Sequence, residues 1–249
     1  MQATIRAGVL KSLCECTKES WSSAVFVFSE NGLHMRAMDS SHVALTLLNL
    51  TPAALLPFRC PQRTALGIHL DAFSMVLKTC ATEDQIKIES ALNSDRVTIT
   101  RGDDLRQWEL KLLDIEEDTM EIPTQTYDVS ADIPSSDFLK LCRDLKEIGG
   151  ETITICVADG STISCSVEGD HGRGTAVLNG VSVEHASEVG EELSCSYALR
   201  FIASFAKGSP LCSNVRMQLG KETPLCLAYK IGDGLGSLQF FLAPRIEDD

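Results

Sequence analysis

LLDIEEDTMEIPTQTY, from Leu112 to Tyr127, decides how the rest of the chain is read. It holds five carboxylates between Asp114 and Glu121, and no Lys, Arg or His occurs from Leu112 to Leu139. Like charges repel and extend such a segment, and Ile122 is turned away from helix by Pro123. The stretch therefore reads as a solvated strap and not as a core element. It lies near the middle of the 249 residues, so the two flanks can be compared.

At an offset of 128 residues the flanks match. Leu10, Leu13, Cys14, Lys18 and Glu19 fall on Phe138, Leu141, Cys142, Lys146 and Glu147. Asn31-Gly32 falls on Asp159-Gly160, the same turn chemistry at the same distance from a helical stretch. Phe73 and Leu77 fall on Phe201 and Phe205. Three regions in one register indicate a duplicated domain. The expected organisation is an N-terminal domain over residues 1–113, an acidic connecting loop over 114–127 and a C-terminal domain over 128–249. Each domain is then of about 110 to 120 residues, an ordinary size.

The helical stretches follow from apolar spacing. Leu10, Leu13, Cys14 and Thr17 make one stripe within residues 9–19, and Phe73, Val76, Leu77 and Cys80 make another within Leu70 to Cys80. Ser135-Ser136-Asp137 offers cap chemistry before Phe138 to Ile148, and Gly149-Gly150 ends that helix. Tyr197 to Lys207 has the same spacing through Leu199, Ile202 and Phe205. Strands are expected over Ala24 to Phe28, Leu33 to Met38, Val43 to Leu50, Ile86 to Glu89, Val97 to Thr100 and Trp108 to Leu112. In the second half they are expected over Thr152 to Val157, Ser161 to Val167, Thr175 to Asn179, Val181 to His185, Val215 to Leu219, Leu225 to Ile231 and Leu238 to Leu242.

Hydrophobic content of 44% supplies two cores. The ten cysteines form no CxxC pair and no Cys/His cluster with zinc spacing, so neither a metal nor another cofactor is expected. Cys14, Cys142, Cys156 and Cys226 lie in apolar runs and read as buried free thiols, which fits a reducing compartment. No segment is apolar for long enough to span a membrane, and the N-terminus lacks the core of a signal peptide. A phosphate-cradling GxxxxGK[ST] loop, a GxSxG elbow and HExxH are all absent, so the chain is not expected to be an enzyme.

Net charge is −13, which taken as an average speaks against a nucleic-acid partner. The distribution speaks otherwise. The four helical stretches carry Lys11 and Lys18; Lys78; Lys140, Arg143 and Lys146; and Arg200 and Lys207. Tyr197 to Lys207 contains no acid at all, a local inversion of sign in an acidic chain. Single lysines of this kind are ordinarily solvated faces paired with neighbours such as Glu15 or Glu147. Taken as a set, they suit loose, sequence-independent contact with a polyanion backbone.

MDSSHV at Met38 to Val43, LCRDL at Leu141 to Leu145, YALRF at Tyr197 to Phe201 and LAPRIED at Leu242 to Asp248 resemble the eukaryotic sliding clamp, the proliferating cell nuclear antigen family. The resemblance runs through the whole chain in order and includes the strap, which is similar to the family's interdomain connecting loop. It implies an α+β fold of two duplicated clamp domains. Three such subunits close a ring, with helices lining the hole and sheets forming the outer shell. It also implies a homotrimer in the nucleus that encircles double-stranded DNA and serves replication and repair as a processivity factor. The implied partners are polymerases and other proteins bearing clamp-interacting peptides, with an ATP-dependent clamp loader.

Carried over residue by residue, the resemblance makes Lys11, Lys18, Lys78, Lys140, Arg143, Arg200 and Lys207 DNA-facing. Lys146 adds a base that the family does not generally show. The partner-peptide pocket maps onto Met38, His42, Leu45, Met120, Ile122, Pro224, Phe241, Ala243 and Pro244. The subunit interface maps onto Trp108, Glu109, Leu110 and Lys111 of one copy and Thr175, Ala176, Val177 and Leu178 of the next. Three positions depart from the pattern. Ala158 replaces a lysine used for ubiquitin attachment, Met75 replaces a basic pore residue, and Glu121 stands where a small residue is usual. Two other readings compete. One is a subunit of a heterotrimeric checkpoint clamp, and the other is a soluble enzyme or adaptor sharing only the fold.

Overall fold

The computed structural model describes every residue except 103–105, 118–124, 160, 161, 180, 186–192, 222 and 246–249, with backbone alone at Asp159 and His185. It divides into two compact units. The first is Met1–Met120 with Lys230–Leu238, and the second is Glu121–Tyr229 with Gln239–Asp249.

In the first unit β1 (Gln2–Arg6) runs straight into α1 (Ala7–Thr17), and β2 (Ser23–Ser29), β3 (Gly32–Met38) and β4 (Ala44–Leu50) follow. After the two-residue β5 (Phe58–Arg59), β6 (Thr64–His69) runs straight into α2 (Leu70–Lys78). The strands β7 (Gln85–Glu89), β8 (Arg96–Arg101) and β9 (Arg106–Lys111) come next. All pairings are antiparallel, in the orders β5-β1-β7-β8-β9 and β4-β3-β2-β6.

The second unit repeats the scheme. There β10 (Val129–Pro134) leads into α3 (Ser135–Lys146), followed by β11 (Thr152–Asp159), β12 (Thr162–Gly169), β13 (Gly172–Asn179) and β14 (Ser182–His185). Then β15 (Leu193–Ala198) leads into α4 (Leu199–Phe205), and a short 3₁₀ turn over Ala206–Leu211 precedes β16 (Asn214–Gly220) and β17 (Thr223–Ile231). The last strand, β18 (Gly236–Leu242), adjoins β17. The strand orders are β13-β12-β11-β15 and β14-β10-β16-β17.

None of the four α-helices has a side-chain cap at its start. The first helical N–H is bonded instead to the carbonyl just before a neighbouring strand. Ala7 donates to Asp84 at 2.8 Å, Leu70 to Ser22 at 2.9 Å, Ser135 to Ser213 at 2.8 Å and Leu199 to Glu151 at 2.9 Å. An orphan donor is thus satisfied by tertiary structure where a Ser or Asp side chain would ordinarily serve. Ser135-Ser136-Asp137 was expected to cap α3; Ser135 is in fact its first residue and Pro134 its cap position.

The apolar helix residues matched across the duplication are core residues. Leu10, Leu13 and Cys14 are buried in α1, as are Phe138, Leu141 and Cys142 in α3. α1 packs on α2 within the first unit, and α3 on α4 within the second. Phe73 of α2 meets Phe26 of β2 edge-on at 5.7 Å. Phe205 of α4 stacks on Phe240 of β18 at 4.3 Å, an arrangement that contributes about 0.5 to 1.5 kcal/mol beyond area burial.

All ten cysteines are free thiols. Burial pushes Cys14 and Cys226 up to about 12, so they are inert packing groups. Cys142 is buried too, whereas Cys156, expected to be buried, is only half-buried. It lies on the outer side of β11, between the buried Ile155 and Val157, where its Sγ is 3.1 Å from Ser194 Oγ. Among the described residues no cluster of His, Cys, Asp or Glu could hold a metal, and no helix is long and apolar enough to cross a membrane.

Candidate nucleic-acid interface and docking edges

The basic residues on the helices differ in how much of their charge is available. Lys78, Lys140, Arg143, Lys146 and Arg200 are exposed, while Lys11, Lys18 and Lys207 are half-buried. Lys11 Nζ donates to the Cys80 carbonyl at 2.7 Å, which ties α1 to the end of α2 at its negative pole. Lys18 is paired with Glu15 at 2.7 Å. Along α3, Lys140, Arg143 and Lys146 follow at three-residue intervals and share one exposed face. The guanidinium carbon of Arg200 lies 4.7 Å from the Phe201 ring centroid, a contact that steadies it at the start of α4. Met75 is exposed on α2, three residues before Lys78.

Among the described residues six strands end a sheet, and β9 and β13 differ from β5, β6, β14 and β15 in combining six or more residues with no buried side chain. β9 pairs only with β8, and β13 only with β12. Neither contains a buried residue; Trp108, Leu110, Ala176 and Leu178 are half-buried, while Glu109, Lys111, Thr175 and Val177 are exposed. An unpaired edge of six to eight residues with apolar side chains is a template for another strand.

The loop after β3 is held by one carboxylate. Asp39 accepts hydrogen bonds from the backbone N–H groups of Ser41 (3.0 Å), Val43 (2.8 Å) and Ala44 (2.7 Å), and from the Ser41 hydroxyl. Burial raises the Asp39 pKa, but these donors outweigh it and hold the carboxyl below its usual range. The loop they fix puts His42 in the left-handed region at φ 57° and presents it to solvent, with Nδ1 3.0 Å from Met38 Sδ. Of the other residues assigned to the peptide pocket in this unit, Met38 is half-buried and Leu45 is buried. Pro224, Phe241, Ala243 and Pro244 of the second unit are half-buried. Met120 and Ile122 lie outside the described residues, as does Glu121.

The strap is anchored where it leaves β9. Leu113 N–H donates to the Gly67 carbonyl at 2.8 Å, and a Cβ at Gly67 would stand 2.3 Å from the Leu113 carbonyl oxygen. Glu117 is held by Arg63 and by His34, whose Nε2 is 3.2 Å from its Oε1. Its burial raises the pKa, and the hydrogen bonds from Arg63 and His34 more than reverse this. This clasp was not read from the sequence, because His34 and Arg63 are 83 and 54 residues from Glu117. Arg245 was likewise read only as part of a family motif. It lines a groove with Lys146 and Arg200, neighbours that only folding supplies.

Two duplicated units of paired helices and antiparallel sheets make the DNA clamp fold. Family models bear this out at both ends of the chain. The N-terminal domain of proliferating cell nuclear antigen matches residues 2–121 and its C-terminal domain matches residues 121–245. The chain belongs to the proliferating cell nuclear antigen family. Among solved structures it is similar to the crystal structure of the proliferating cellular nuclear antigen from Entamoeba histolytica, with 28% identity, a TM-score of 0.89 and coverage of 98% of each chain.

Proposed function

We propose that three copies of this chain close head to tail into a homotrimeric ring that encircles duplex DNA, acting in the nucleus as a processivity factor and a docking platform for replication and repair proteins. The observation that carries the reading is that β9 and β13, one in each unit, are terminal strands of six and eight residues with no buried side chain. A contact between unlike surfaces that closes on itself gives a ring. The edge of Trp108 to Lys111 in one copy would add to that of Thr175 to Leu178 in the next.

The bases of α1 to α4 serve as weak, screened contacts with the phosphate backbone. A closed ring retains DNA by topology, so affinity is not needed, and loose contacts permit sliding. The acidic remainder of a chain with net charge −13 keeps DNA from adhering elsewhere. Partner proteins dock through short peptides with apolar anchors, at Met38 and His42 in the first unit and Phe241, Ala243 and Pro244 in the second. Membership of this family implies an ATP-driven loader that opens the ring.

Native mass spectrometry of the purified, concentrated protein tests the assembly. A species of three times the 27.1 kDa chain mass is expected. A lone monomer would rule the ring out, and a trimer formed only when unlike subunits are added would replace it with the heterotrimeric reading.

A further inference from the structure

We infer that Lys146, Arg200 and Arg245 form a phosphate-binding notch for the DNA backbone, present in the second unit and without a counterpart in the first. The inference rests on the DNA-encircling reading and adds to it a contact from outside the helices. The three side chains line an open groove of about 400 Å³ with Gly150, Glu151 and Ala198. The acid among its described lining residues, Glu151, is 88% exposed at the side chain and 3.8 Å from Arg245, so solvent screens most of its charge. The described lining of the groove thus carries three bases and one acid in a chain of net charge −13.

Arg245 is placed with care. Its backbone N–H donates to the Ser196 carbonyl at 2.7 Å, and its Nη1 donates to Thr152 Oγ1 at 2.6 Å. These bonds orient the guanidinium by one side. The group has five N–H donors in a fixed fork, and that fork matches two phosphate oxygens. Arg200 is steadied over Phe201, and Lys146 ends α3 with Arg143 three residues before it, where Lys18 has Glu15.

The duplication provides an internal control. Arg200 is the second residue of α4, and the second residue of α2 is Asp71. The same fold thus carries opposite charge at the same place in its other copy, so the scaffold does not impose the positive notch. Lys140 and Arg143 extend the positive face along α3 toward Lys146, which points to a polymeric phosphate ligand and not to a small free anion.

The test is the salt dependence of binding to a short blunt-ended DNA duplex of random sequence, for wild type, R245A, R245K, K146A and K78E. Removing one base that neutralises a phosphate lowers the log–log slope by about 0.9. R245A and K146A are each expected to lower it by that amount, and R245K to restore it. An unchanged slope in R245A and K146A, with a reduced slope in K78E, overturns the notch and leaves the DNA reading standing. Unchanged slopes in every variant overturn both. If R245K behaves as R245A does, Arg245 acts by holding Thr152 and not by its charge, and the notch is again refuted.

Discussion

The backbone N–H of Leu199 donates to the carbonyl of Glu151 at 2.9 Å, and Leu70 makes the same bond to Ser22 at the same distance. Ser135 and Ala7 complete the set with bonds to Ser213 and Asp84. In each unit, both helices are thus started by a strand and fastened by the carbonyl in front of another strand. Helix initiation in this protein is a tertiary event.

Ser135 gives the sharpest test of that device. Its hydroxyl is buried without a hydrogen-bond partner among the described residues, while its backbone N–H is bonded to Ser213. Ser135→Ala removes a desolvated polar group and is expected to be neutral or stabilising, by up to about 1 kcal/mol. Ser135→Pro suits the first turn of an isolated helix but removes the donor here. It is expected to destabilise by about 0.5 to 1.5 kcal/mol, the net contribution of the one hydrogen bond lost. Denaturant midpoints of the two variants decide the matter, and equal midpoints would show that the backbone bond is dispensable.

Asp39 links stability to pH. Its folded pKa is depressed relative to the unfolded value of about 3.9, so its contribution is fully present above that value. That contribution is lost as pH falls through the folded pKa. Asp39→Asn is expected to cost about 1 to 3 kcal/mol at neutral pH, because an amide cannot accept from all four donors. The gap between variant and wild type is expected to narrow below pH ~4. Urea unfolding at neutral and acid pH measures it; a gap independent of pH would exclude the carboxylate as its cause.

Val177 is half exposed on β13, a strand with no buried residue. Val177→Glu is expected to leave the thermal midpoint of the isolated subunit unchanged and to convert the proposed trimer to single chains of 27.1 kDa. Analytical ultracentrifugation reports both states. A variant that stays trimeric would move the subunit contact away from this edge.

Lys78, Arg143 and Arg200 are the exposed bases of three different helices. Reversing all three to Glu is expected to slow loader-dependent loading and to flatten the salt dependence of DNA binding by roughly 0.9 for each phosphate no longer neutralised. Native mass is expected to remain that of wild type. Processive synthesis at the wild-type rate would show that these faces do not meet DNA.

Phe241 is a half-buried aromatic near the end of β18, followed by Ala243-Pro244. Phe241→Ala is expected to weaken binding of a Gln-x-x-aliphatic-x-x-aromatic-aromatic peptide by about 1 to 3 kcal/mol, the usual loss at an anchor position. Met38→Ala is expected to weaken it as well. Calorimetry on the folded variants reads the change, and undiminished affinity in both would place partner docking elsewhere.

The sequence by itself determined the duplication and most of the strands and helices. Each of these rests on a local pattern. The 128-residue register of Leu10, Leu13 and Cys14 with Phe138, Leu141 and Cys142 recurs as two matched sets of buried helix residues. Alternation in Val97 to Thr100 needs nothing beyond a half-buried strand to explain it. The strands QATIR, TALGIH, VSADIP and LSCSYA are not separable in the sequence, since each passes into its helix with no turn residue to mark the change of period. Tyr197 shows the consequence. Its apolar spacing places it in the last helix, whereas it is a buried residue of β15. Only the tertiary structure decided that Arg245 sits with Lys146 and Arg200, that Glu117 is clasped by Arg63 and His34, and that β9 and β13 are edges. Such facts depend on which distant segments pair, and pairing between strands is set by the burial of whole faces, which no single stretch of sequence contains.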